Sequence, residues 1–233
     1  MLLKTIICLA NSNKPPSGGR CIAGKEISDA NISVWIRPVS TRERHEVSDE
    51  ERTFENGQKI QLLDIVSIPL IEHSPNGHQI ENHTIDNQCF WKKLRKATWN
   101  EVEASIDHFD ELFWGNSSTS SNGENDRVSQ INVLNVGSSL KLIYVMELIF
   151  HVQNENFDGN TRRRVRTTFT YNNTKYKLSV TDPVFLEEYL NKPEGDYQFG
   201  EAALCVSLAE VWKGFSYRVV ASVITPKRCE TND

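Results

Sequence analysis

The stretch RVRTTFTYNNTKYKLSVTDPVFLEEYL, residues 164–190, decides the architecture. Arg164 to Tyr171 and Lys175 to Thr181 are β-rich runs on either side of Asn172-Asn173, residues that tolerate positive φ, so they pair as a hairpin. Asp182-Pro183 then supplies an N-cap and an N1 proline, opening a short helix that carries Glu187 and Glu188 and ends near Leu190. Upstream, Leu140 to Val152 reads as a long strand ending in the polar turn Asn154 to Asn160. Downstream of the turn Pro193 to Asp196, Ala203 to Leu208 and Phe215 to Ile224 complete five strands, with the helix between the third and the fourth.

The first half repeats this order of elements, though not its residues. Strands are expected at 2–10, Arg20 to Ile27 and Ile32 to Val39, with Ser28 to Asn31 as a turn between the last two. A charge-rich, helix-compatible segment, Ser48 to Phe54, precedes a strong strand, Lys59 to Glu72, and a weak one near His78 to Asn82. Three strands, a helix and two more strands outline an oligonucleotide/oligosaccharide-binding (OB) barrel, whose ligands usually lie on strands 2 and 3. The fold expected is therefore mainly β with a few short helices: two OB-like five-stranded barrels joined by a helical or loop segment.

The join is read from composition. Thr98-Trp99-Asn100-Glu101 is a capping box opening a helix through about His108, and Phe113 and Trp114 read as packing residues. Asn116 to Asn125, almost all Ser, Asn, Thr and Gly, reads as a linker. This gives a first barrel with its helical segment at 1–115, a linker or mobile loop at 116–137, and a second barrel at 138–233.

Charge narrows the partners. The net charge of −5 is uneven: residues 1–137 hold 14 Lys/Arg against 19 Asp/Glu, and residues 138–233 hold 12 of each. A nucleic-acid site must then be a local patch on an acidic or neutral body. Five cysteines without a CxxC pair argue against a disulfide framework or zinc ribbon and fit free thiols in the cytoplasm. No run reaches transmembrane length, so no membrane partner is expected.

The most conspicuous cluster is Arg162-Arg163-Arg164-Val165-Arg166. With Val165, Phe169 and Tyr171 turned inward, Arg162, Arg164 and Arg166 project outward, where Lys175 and Lys177 of the next strand join them. Converging guanidiniums fork hydrogen bonds to phosphate. The competing reading is a charged edge that resists aggregation. In the first half, Trp35 and Arg37 are expected on an exposed face with Arg20 on the neighbouring strand and Lys14 in the loop, a stacking surface beside cations. Its competitor is an indole that covers an interface. Asp64, alone in an apolar run, reads as a residue on the wet side of its strand or at a bulge. His73, His78 and His83 lack partners at ligand spacing, and HExxH, GxSxG and GxxxxGK[ST] are missing. No catalytic residue, metal site or cofactor is expected.

Several stretches also carry a family resemblance: Cys8-Leu9-Ala10-Asn11-Ser12 with Lys14, Gly19-Arg20-Cys21-Ile22-Ala23-Gly24, and Trp35-Ile36-Arg37-Pro38-Val39. With Leu63-Asp64-Ile65-Val66, Glu81-Asn82, Asn125-Asp126-Arg127, Thr181-Asp182-Pro183 and Ser207-Leu208, they resemble bacterial proteins described as dual OB-containing domain proteins. The resemblance spans nearly the whole chain and is poorest at Ser117 to Glu124. It implies two OB-like barrels and, by fold analogy, a nucleic-acid or nucleotide ligand, with Asn11, Lys14, Arg20, Trp35, Arg37, Asp126, Arg127 and Asp182 as the polar positions to test first. The function expected is non-enzymatic recognition of a polyanion, nucleic acid first. The alternative is a sensor or adaptor for a small nucleotide-like ligand or a protein partner held between the barrels.

Overall fold

The computed structural model describes residues 2–14, 18–28, 31–109, 113–115, 118–157 and 159–230. Asp29 and Ala30 of the turn expected at Ser28 to Asn31, and parts of the loops at 11–19 and 109–117, fall outside them. The chain forms two compact units, Met1–Ile106 with Pro226–Asp233, and Asp107–Thr225.

The first unit contains β1 (Leu2–Lys14), β2 (Gly19–Ser28), β3 (Asn31–Val39), β4 (Asp64–His73), β5 (Asn82–Ile85), β6 (Lys92–Lys96), α1 (Trp99–Ala104) and, at the far end of the chain, α4 (Pro226–Glu230). Its strands run in the order β1-β2-β3-β5-β4-β6, and β1 also pairs with β4, which closes a five-stranded barrel and leaves β6 as an added edge. The β3–β5 pair is parallel and β1–β2, β2–β3 and β1–β4 are antiparallel, the Greek-key pattern of an OB barrel. Ile6, Cys8, Ile22, Ile36, Val66 and Ile68 fill it from alternate positions of four strands.

The second unit contains β7 (Arg127–Ser129), α2 (Gln130–Val133), β8 (Leu140–Val145), β9 (Leu148–Phe157), β10 (Asn160–Tyr171), β11 (Thr174–Val180), α3 (Pro183–Leu190), β12 (Gly195–Phe199), β13 (Ala202–Leu208) and β14 (Phe215–Ile224). The sheet order is β12-β9-β10-β11-β14-β13-β8. Only Met146 and Glu147 separate β8, which pairs with β13, from β9, which pairs with β10, so this stretch takes the place of an OB barrel's long first strand. Tyr176, Leu178, Phe150, Phe169, Val206 and Val223 lie in the resulting core.

Local chemistry accounts for the helices. Thr98 caps α1 in a complete capping box with Glu101, although α1 ends at Ala104 rather than near His108. Asp182 caps α3 through the amides of Val184 and Phe185, with Pro183 behind it. Its second oxygen accepts from the Val223 amide of β14 at 3.0 Å, so one buried carboxylate fixes both the helix start and a core strand. Asp182→Ala is expected to cost about 2–4 kcal/mol, the loss of a cap added to an unsatisfied buried amide, as read by urea unfolding.

Three expectations change. Residues 48–54 form turns rather than a helix, the weak strand near His78 to Asn82 is displaced to β5, and residues 118–137 are not a linker. The last of these belong to the second unit: β7 pairs with β14, and Glu124 exchanges both backbone hydrogen bonds with Lys177.

Candidate functional site

Strand alternation on β10 is as the sequence predicts. Val165, Thr167 and Phe169 are buried against the barrel, which turns Arg162, Arg164, Arg166 and Thr168 to the outer face. Cross-strand register then brings Glu155, Gln153 and His151 of β9 beside Arg162, Arg164 and Arg166, and Lys177 and Lys175 of β11 beside Thr168 and Thr170.

This face is not the free basic stripe that the sequence predicts. Arg166 is only 6% exposed. Its Nε donates to Glu155 Oε1 at 2.5 Å, its Nη2 to Glu155 Oε2 at 3.0 Å, and Asp126 Oδ2 lies 3.8 Å from Nη1. Lys175 is paired with Glu124 at 3.1 Å, and Lys177 donates to Gln153 at 3.3 Å, which in turn donates to Glu155. Burial pushes the Glu155 carboxyl up, but the bonds from Arg166 and Gln153 and the charge of Arg164 bring it below its ordinary value. The middle of the stripe is therefore an internally neutralised network. Arg162 and Arg164 are exposed and make no hydrogen bond or ion pair among the described residues. Arg163 points the other way and donates to the Lys192 carbonyl.

These two arginines sit on an arm. The β12–β9 pairing covers β9 only from Leu148 to Val152, and the β11–β10 pairing covers β10 only from Arg166 to Tyr171. The β9–β10 pairing continues past both, to Phe157 and Asn160. Residues 153–157 of β9 and 160–164 of β10 thus form a ribbon that outruns both neighbouring strands.

At the base of the arm lies a cluster that the sequence reading missed. His151 Nδ1 is 2.6 Å from Asp196 Oδ1, and His151 Nε2 is 2.7 Å from Thr168 Oγ1. Asp196 stands directly opposite His151 across the β12–β9 pair. Separations of 45 and 17 residues give no local spacing to detect. Only a correct pairing of β9 with both of its neighbours would have shown it.

The first barrel does not assemble the pocket expected of Trp35, Arg37, Arg20 and Lys14. Gly24 pairs with Ile36, so Arg20 lies on the core side of β2 by alternation, while Trp35 and Arg37 lie on the opposite side of β3. That opposite side is covered rather than wet: Trp35 and Arg37 are each 7% exposed. The Lys25 ammonium sits 5.3 Å from the Trp35 ring centre and donates to the Ser105 carbonyl just after α1. Arg37 pairs with Glu81 at 2.9 Å. Arg20 is tied through its backbone to Val47, and Lys14 donates to the Arg44 carbonyl. Asp64 is buried, paired with Lys93 at 2.8 Å, and accepts from the Gln61 amide. Among the described residues no cluster of three or more His, Cys, Asp or Glu could hold a metal ion.

The family model of the dual OB-containing domain matches residues 4–223. The chain belongs to that family. No curated protein matches it. In this dual OB protein the polar positions of the family resemblance act largely as scaffold. Asn11 donates to the Ile60 carbonyl across 49 residues, and Asp182 caps α3. Asp126 accepts from the amide and hydroxyl of Ser120. Arg127 lies 4.1 Å from the Phe215 ring centre and donates to Ser118. No helix is long and apolar enough to cross a membrane among the described residues.

Proposed function

We propose that this dual OB protein binds nucleic acid on the outer face of the second barrel, with the β9–β10 arm as the grip. The observation that carries the reading is the pair Arg162 and Arg164, exposed, without a hydrogen bond or ion pair among the described residues, and on one side of the same strand. Two positions along a strand separate them by about 6.6 Å, a spacing comparable with successive phosphates of an extended single strand. Each guanidinium keeps its full set of donors for phosphate oxygens. The remaining cations of the stripe serve differently: Arg166, Lys175 and Lys177 hold the face together. Trp35 and Arg37 are spent inside the first barrel's covering, which leaves base stacking there without a platform.

Only two phosphates are engaged strongly in this arrangement, which sets a quantitative expectation. For a labelled single-stranded oligonucleotide, log K should fall with log salt with a slope of about −1.4, at about −0.7 per phosphate. Fluorescence anisotropy on the intact protein between low and physiological salt measures it. Arg162→Ala with Arg164→Ala is expected to abolish the salt-dependent binding while leaving the melting temperature unchanged, because both side chains are exposed. Equal binding by the double variant, or no binding by the parent protein to RNA or DNA at low salt, would remove the reading.

A further inference from the structure

Two hydrogen bonds orient the His151 ring. An ionised carboxylate can only accept, so Nδ1 carries the proton that faces Asp196, and in the tautomer with a bare Nε2 that nitrogen accepts the Thr168 hydroxyl. A ring oriented by a carboxylate and already holding a hydroxyl at its other nitrogen is the arrangement of a general base. It opens to solvent: the His151 side chain is 14% exposed and Asp196 71% exposed. It also lies on the same outer face as the proposed grip. Arg164 pairs with Gln153, and His151 is two residues further along β9, about 6.6 Å away.

We infer that the site is catalytic and that its substrate is single-stranded RNA, an inference that rests on the binding reading above. With a phosphate held at Arg164, the next sugar falls at His151, and its 2′-hydroxyl takes the place of Thr168 Oγ1 at Nε2. RNA brings its own nucleophile, so the site needs only a base, a proton donor and a cation, and it has these. His151 Nε2 removes the 2′-hydroxyl proton and the 2′-oxygen attacks the adjacent phosphorus. The bond from phosphorus to the 5′-oxygen of the next nucleotide breaks, and that oxygen takes a proton from Lys177 Nζ. Lys177 stands opposite Thr168 and reaches Gln153, so its ammonium lies along the same path. The products are a 2′,3′-cyclic phosphate and a free 5′-hydroxyl, and His151 returns its proton to Lys177 through solvent. Asp196 touches no reacting atom and acts as a positioning residue. DNA, lacking the 2′-hydroxyl, binds without reaction.

The test incubates the full chain with end-labelled single-stranded RNA, the same sequence as DNA, and a 2′-O-methyl RNA, alongside identically purified His151→Ala and His151→Gln. Expected are RNA fragments ending in 2′,3′-cyclic phosphate, with DNA and 2′-O-methyl RNA intact. Both His151 variants should lose at least about 100-fold in rate while their anisotropy titrations match the parent's. Asp196→Ala should lower kcat with little change in KM, and Asp196→Glu should recover part of it, which a purely structural role for Asp196 would not produce. RNA that is bound but stays intact, or cleavage that persists in the His151 variants, overturns the inference and leaves the binding reading standing. Absence of RNA binding overturns the inference, and absence of binding to the DNA as well overturns both.

Discussion

Arg166→Ala is expected to unfold the second barrel at a cost of about 3–5 kcal/mol, the range for removing one member of a buried ion pair. The reason is what stays behind. Glu155 is 4% exposed and Asp126 2% exposed, and Arg166 is the cation that bridges them on the face of β9 and β10. Without it two buried carboxylates face each other, and water must enter or one must take up a proton. Replacing both partners tells a different story: Glu155→Leu with Arg166→Met keeps volume and removes both charges, and it should recover much of the loss. The wild-type pair also gives a pH signature. The folded Glu155 carboxyl titrates below its unfolded value, so its contribution is present above the unfolded pKa and drains away as pH falls through the folded one. Arg166→Ala should flatten that acid limb in equilibrium unfolding. If Arg166→Ala instead leaves stability intact and weakens only oligonucleotide binding, the buried network does not hold the barrel and Arg166 belongs with Arg162 and Arg164 as a phosphate ligand.

How much of this was legible depended on whether the deciding force was local. The hairpin at Asn172-Asn173 was, because both residues adopt positive φ, 46° and 58°, in the turn. The α3 start and the inward set Val165 and Phe169 were legible for the same reason. Alternation, however, gives a side, not an environment. Trp35 and Arg37 do point away from the Ile36 core, but Lys25 and the end of α1 cover that side, and nothing near residue 35 announces residue 105. The expected helix at 48–54 failed to a local competitor. Ser48 and Glu51 do form the reciprocal bonds of a capping box, but the Phe54 amide turns forward to the Gln58 carbonyl and Thr53 bridges Lys59, so the backbone closes as turns before a helix can extend. The network around Arg166 and the His151 cluster lay deepest of all, since both depend on strand partners far apart in sequence.

The misread linker leads to the second large effect: Arg218→Met is expected to cost about 3 kcal/mol or more and to release residues 118–127 from the barrel. Composition made that segment a spacer, yet one guanidinium on β14 holds it. Arg218 is 1% exposed, and its Nη1 donates to the carbonyls of Asn125 at 3.0 Å and Arg127 at 2.9 Å while Nη2 donates to Phe113 at 2.5 Å. Burial pulls the group down to about 10, which still leaves it charged at neutral pH. Charge-assisted bonds of this kind contribute about 1.5–3 kcal/mol each, and methionine leaves three carbonyls without their donor. The segment cannot simply slacken to compensate, because it is packed: a Cβ on Gly123 would stand 2.0 Å from Asp126 Oδ2. Hydrogen exchange should report the release directly, with faster exchange at the Lys177 and Glu124 amides, whose mutual bonds pin the segment to the edge of β11. Lysine at 218 should rescue little, since a single ammonium cannot match a planar fork that serves three carbonyls at once. Slow exchange at Glu124 in Arg218→Met would mean that Asp126, through Ser120 and Arg166, holds the segment unaided.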